Sequence, residues 1–290
     1  MSLRLTATPL QVAVALAVGG EAILSFMDAI IKTLTPRYGA IEIAFLRFAM
    51  GSLFAALAVA WVRPGWPSRE TITYNATRSV LVVITAVLFF YALGALPLAE
   101  AMALSFTSPL FMALFGMLVL KERIDGRIVV ALGAGLVGMA VIVAGRINAE
   151  AYDSTTLLGA AAVTLSAITY AMVVVLLRAR ATRDPLSTIV LFQNAGPALL
   201  LAGPAALVWT PLTLSDALTF LGIGALGVTG HTCLAHAFAR AEAARLAPVH
   251  YMMLVWGVVF GYLFFGDIPG AATLIGAGLI VVATYLSRRG

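Results

Sequence analysis

The chain is a series of apolar runs of about twenty residues, cut by short clusters of charge, proline and glycine. Ten runs reach the length at which an α-helix crosses about 30 Å of hydrocarbon. They cover 10–32, 39–62, 76–94, 98–120, 127–145, 156–177, 186–208, 215–238, 244–265 and 270–287. Each is apolar all round, as expected of a membrane span rather than a surface helix. The longest connections are about ten to thirteen residues, so almost nothing remains for an extramembrane domain. The pattern predicts an all-α membrane protein with ten transmembrane helices.

Composition closes the alternatives. Of 290 residues, 62% are apolar and 11% are charged. A soluble domain is about half apolar and about a quarter charged. A soluble enzyme, a disordered chain and a nucleic-acid binder are therefore excluded. The net charge of +5 reads as cationic cytoplasmic loops. With the N-terminus inside, fourteen Lys and Arg residues fall on the cytoplasmic side, Arg78 among them. Three, Lys32, Arg37 and Arg146, fall outside, and Arg47 lies within a span. Both termini are thus expected in the cytoplasm, with the first helix retained rather than cleaved. Cys233 is the one cysteine and reads as small buried filler, so no intramolecular disulfide is possible. No metal-ligand or phosphate-loop spacing occurs, and neither a metal nor a cofactor is expected.

A shift of 145 residues brings the halves into partial agreement. Phe106 falls on Tyr251, Phe115 on Phe260, Gly116 on Gly261, Leu118 on Leu263 and Glu122 on Asp267. The earlier spans align with a shift of 146, which places Arg47 on Gln193 and Lys32 on Arg178. Five spans is an odd number, so residues 147–290 would lie inverted relative to 1–146. Two inverted five-helix repeats around a central cavity are a typical construction for a secondary transporter.

These features resemble the EamA-type members of the drug/metabolite transporter superfamily. The first copy carries the run Pro109 to Gly116, then Glu122, then Gly133-x-Gly135-x-x-Gly138. The second carries Leu254 to Gly261, then Asp267, then Gly276-x-Gly278, with Leu254 and Asp267 standing where the family has proline and glutamate. Within the superfamily the chain looks most like YddG-type bacterial exporters of aromatic amino acids. The resemblance implies an inner-membrane carrier whose cavity is lined by spans 1, 3, 4, 6, 8 and 9, with spans 5 and 10 peripheral.

The residues themselves lead to the same region. Pro109 after Phe106-Thr-Ser108 predicts a bend in the fourth span. Phe106 and its repeat mate Tyr251 would flank the midplane and stack on an aromatic cargo, or serve as ordinary core. Phe90, Tyr91 and Tyr170 are candidate walls, with Tyr91 expected to face inward more than Phe89. Trp256 either lines the cavity or packs helices. Glu21 and Asp28 share one face of the first span, and Arg47 lies between them in depth. Arg47 either pairs with one of them, or Glu21 contacts a substrate ammonium or carries a coupled proton. His250 beside Tyr251 is a proton relay or a neutral imidazole bonded locally; a metal pair of His231 and His236, five apart, is disfavoured.

The leading reading is a secondary transporter exporting apolar and aromatic amino acids, working as a monomer in the bilayer without nucleic acid. Drugs, organic cations or other metabolites are alternative cargoes. An intramembrane enzyme lacks the necessary motifs: there is no Gly-x-Ser-x-Gly, Gly-x-Gly-Asp or HExxH.

Overall fold

In hydrocarbon every backbone N–H and C=O must be satisfied within its own segment, so runs of this composition fold as helices. The computed structural model describes residues 9–96, 101, 104, 105, 107–144, 154–266, 268, 270, 271, 274–276, 278, 279 and 282. Its described elements are α1 (Pro9–Leu34), α2 (Ala40–Val62), α3 (Arg69–Ala95), α4 (Ser108–Leu120) and α5 (Gly126–Ala144). They continue with α6 (Ser154–Ala181), α7 (Leu186–Leu207), α8 (Leu214–Arg240), α9 (Ala243–Leu246), a 3-10 stretch Ala247–Tyr251 and α10 (Met252–Phe265). Among the described residues, seven helical segments are long and apolar enough to cross a membrane: α1, α2, α3, α6, α7, α8 and the broken Ala243–Phe265. The fourth expected span is represented by the 13 residues of α4, and the tenth falls largely outside the described residues. Leu53, Leu57, Leu118, Leu199 and Leu218 are exposed, as a lipid-facing surface requires.

Two boundaries differ from expectation for local reasons. Helix α3 begins at Arg69, not 76, because the Ser68 hydroxyl accepts the Thr71 N–H at 3.1 Å and caps the first turn. The apolar run starts later than the helix does. Pro109 is the second residue of α4 rather than a bend within a continuous span, a position where its missing N–H is tolerated. In the second half the corresponding helix also starts late, at Met252, although Leu254 replaces the proline. Pro248, inside the 3-10 stretch, lies just before that start. Asp267, the other departure from the family pattern, lies outside the described residues.

Packing runs between the two halves of the chain. Helix α1 lies on α8, α2 on α7 and α3 on α6; α4 lies on α6 as α10 lies on α1. These pairings are unchanged when each helix is exchanged for the one five spans along. Helix ends follow the same rule. Lys32 Nζ, at the end of α1, donates to the carbonyls of Leu93 (2.8 Å) and Leu96 (2.9 Å) at the end of α3. Arg178 Nη1, near the end of α6, donates to the carbonyl of Phe238 at 2.6 Å near the end of α8.

Close approach depends on α8 having no side chain where it crosses α1 and α2. A Cβ on Gly224 would lie 2.6 Å from the Met50 carbonyl carbon and 2.7 Å from the Gly51 nitrogen. Backbone atoms of a packed helix cannot step aside. Gly224→Ala is therefore expected to lower the melting temperature of the detergent-solubilised protein, by roughly 1–3 kcal/mol of stability. Gly222→Ala, with nothing within 4 Å, should leave it unchanged. Thermal unfolding of the two variants side by side checks this.

Candidate functional site

The helices enclose a cavity of about 930 Å³, its mouth included. Its walls come from α1, α2, α3, α6, α7, α8, α10, the 3-10 stretch and Ser105 and Ser108 around the start of α4; among the described residues none of α5 lines it. Relative to the implied set of spans 1, 3, 4, 6, 8 and 9, the second and seventh are added.

On α1, Glu21 and Asp28 both line the cavity, about 10 Å apart along the helix by their spacing. Glu21 Oε1 is 2.7 Å from His250 Nδ1, and the His250 ring stacks on Tyr170 with centroids 5.0 Å apart. Glu21, His250 and Tyr170 thus join α1, the 3-10 stretch and α6. Asp28 makes no hydrogen bond among the described residues.

Two buried guanidiniums complete the polar lining. Arg47 Nη1 donates to Asn194 Oδ1 at 3.4 Å, with its Cζ 4.1 Å from the Phe48 ring centroid. Gly227 makes room for it: a Cβ there would lie 3.1 Å from Arg47 Nη2. Arg78 Nε donates to the carbonyl of Val173 at 3.3 Å, and Arg78 Nη2 donates to Gln193 Oε1. Neither forms an ion pair with a carboxylate among the described residues. Arg47 makes no direct ion pair with Glu21, which meets His250, or with Asp28, although Arg47 and Asp28 are near enough to attract one another. The rest of the lining is apolar or aromatic, with Phe48, Phe89, Phe90 and Tyr170 prominent. Ser108 Oγ is buried without a hydrogen-bond partner among the described residues.

Of the residues singled out from sequence, Glu21, Asp28, Arg47, Phe90, Ser108, Tyr170 and His250 line this cavity together. Tyr91, Tyr251 and Trp256 do not. Tyr91 is 41% exposed on the far side of α3, one helical turn from the helix end, while Phe89 faces in. Its hydroxyl has the interfacial depth at which tyrosines are common. Tyr251 is fully buried and its hydroxyl donates to the Leu132 carbonyl of α5 at 3.4 Å. Successive residues of a 3-10 helix point about a third of a turn apart, so His250 and Tyr251 cannot face the same way. Trp256 stacks on Phe260, with centroids 6.2 Å apart, outside the lining. Phe106 lies outside the described residues.

Sequence reasoning missed Arg78, Gln193 and His231. Arg78 counted as a cytoplasmic loop charge but is nine residues into α3 and 3% exposed. The capping pattern of Ser68 was the available signal. With Arg78 included, the cavity holds two arginines where one was expected.

The EamA-like transporter family profile matches residues 11–144 and again 157–289. A pseudopaline exporter of Pseudomonas aeruginosa is 32% identical over 284 residues, 97% of each chain. An S-adenosylmethionine uptake transporter of Rickettsia bellii is 26% identical over 258 residues, 89% of this chain and 86% of the relative. A riboflavin transporter of Rhizobium johnstonii is 28% identical over 258 residues, 85% of this chain and 80% of the relative. A crystal structure at 21% identity superposes with a TM-score of 0.77 over 95% of this chain and 97% of the other, which shows the shared fold. None of these relatives is described as an exporter of aromatic amino acids.

The Glu21–His250 contact predicts coupled effects on stability. Glu21→Gln and His250→Gln should each destabilise the purified protein, and the double variant should differ from their sum by about 0.5–3 kcal/mol. Additivity in thermal unfolding would mean that the two side chains do not interact.

Proposed function

The chain belongs to the EamA-like transporter family, and from that premise we propose that it exports a zwitterionic, amino-acid-like metabolite through the central cavity by alternating access. It is a multi-pass membrane transporter. The observation that carries the cargo assignment is the charge layout of the cavity: carboxylates Glu21 and Asp28 on α1, and guanidiniums Arg47 and Arg78 on α2 and α3, without ion pairs between the two sets. A zwitterion with its ammonium toward Asp28 and its carboxylate toward an arginine would satisfy both signs at once. The aromatic walls suit an apolar or ring-bearing remainder, which keeps aromatic amino acids as a second reading, supported by Phe89, Phe90 and Tyr170.

Export follows the pseudopaline exporter rather than the S-adenosylmethionine importer among the relatives. In this reading, residues 1–146 and 147–290 are opposed five-helix halves that rock about the cavity, in a bacterial inner membrane, with both termini cytoplasmic. The Glu21–His250 pair offers a place for a coupled proton.

Reconstitution in liposomes tests the proposal. Counterflow of phenylalanine, leucine, S-adenosylmethionine or another zwitterion is expected, accelerated by an imposed pH gradient. Exchange of tetraphenylphosphonium in preference to every zwitterion would favour a drug or organic-cation cargo. No zwitterion exchange at all would overturn the reading, and rates indifferent to pH would remove the coupled proton.

A further inference from the structure

We infer that Arg47 and Arg78 together read two carboxylates, so that the cargo carries a second carboxylate in addition to that of an α-amino-acid head. The inference rests on the transport reading for movement of the ligand but not for its binding.

Elsewhere in this molecule, arginines that hold elements together meet acids. Arg180 bonds Glu70 at 2.6 Å and Asp184 at 2.7 Å, and Arg37 bonds Asp216 at 2.8 Å. The cavity arginines are treated differently. Both are 3% exposed, yet each is seated on a neutral amide, Arg47 on Asn194 and Arg78 on Gln193. Taking a charge out of water without an opposite partner is expensive in a membrane. With Asp28 acting on Arg47 only at a distance, the two guanidiniums remain a cost that structure alone does not require. They are matched when two anions enter.

The donor inventory agrees. A guanidinium has five N–H donors in a planar fork, suited to bidentate contact with a carboxylate. Arg47 gives one donor to a protein acceptor, and Arg78 gives two. Both side chains line the cavity. The cavity's acids offset them only in part: Glu21 is held by His250, and Asp28 acts on Arg47 at a distance without a hydrogen bond or ion pair, which leaves one open carboxylate for two guanidiniums. A cargo with one carboxylate satisfies one guanidinium and leaves the other on its amide. A cargo with two satisfies both.

The test uses a matched pair of probes, phenylalanine and N-(carboxymethyl)phenylalanine, titrated calorimetrically into the full-length protein in lipid nanodiscs. The dicarboxylate should bind at least about tenfold tighter. Arg47→Gln and Arg78→Gln should each bring the ratio toward one. Arg78→Lys, which keeps the charge but loses the fork, should retain part of it. Equal affinity of the unsubstituted protein for both probes overturns the inference, as does no binding of either, whatever the fate of the variants. Counterflow separates this from the transport reading. A binding preference without exchange leaves the two-carboxylate reader standing and overturns transport. Phenylalanine exchange without a preference overturns the reader alone.

Discussion

Hydrocarbon offers no hydrogen-bond partner, so each charge and each open helix end must find one inside the protein. This constraint organises the molecule more than side-chain volume does. The last carbonyls of α3 would otherwise be unsatisfied, and Lys32 reaches them from the end of α1. Arg178 does the same for α8 from the end of α6. The two loops between α1 and α2 and between α6 and α7 are tied down in a related way. Arg37 and Tyr38 bond Asp216 in the first turn of α8. Arg180 and Asp184 bond Glu70 and Thr71 in the first turn of α3. Each loop thus joins the start of a helix from the other half of the chain, and the halves are fastened to one another at their polar ends as well as by the cavity contacts of Glu21 with His250, Arg47 with Asn194 and Arg78 with Gln193.

Between those ends, helices can come close only where side chains are missing. Gly224 and Gly230 let α8 lie against α2 and α1, and Gly227 in the same row leaves the space that the Arg47 guanidinium fills. One stripe of glycine therefore serves two purposes. It shortens the helix separation, and it admits a charged group to a depth at which a larger residue would exclude it. The position of Arg47 in the cavity is a property of α8 as much as of α2.

The sequence makes the helices legible because each span is a long apolar run, and it makes Glu21, Asp28 and Arg47 legible because charge is rare there. Arg78 was lost for the converse reason: the apolar run of α3 begins after it, and only the cap at Ser68 shows that the helix starts earlier. Orientation of aromatic side chains was poorly legible. Tyr91 and Phe90 are adjacent, and a hundred degrees of helical rotation sends one to lipid and the other to the cavity. Tyr251 was misplaced because the break at Pro248 changes the local rotation per residue, which polarity alone does not report. Gln193 stood out only as the repeat mate of Arg47, since an amide within a span is unremarkable until its guanidinium partner is known.

A transport cavity must also release what it holds. Had Arg47 and Arg78 been locked to Glu21 and Asp28, an entering carboxylate would have to break a buried pair, at about 3–5 kcal/mol for each partner removed. An amide seat changes that balance. A ligand carboxylate can displace a neutral acceptor whose net contribution is about 1 kcal/mol. When the ligand leaves, the guanidinium returns to the amide instead of standing bare in a low dielectric. Gln193 and Asn194 are neighbours on α7, and α7 packs on both α2 and α3, so one helix carries both seats. Under the two-carboxylate proposal, loaded and empty cavities would differ by an exchange of acceptors rather than by the exposure of a charge.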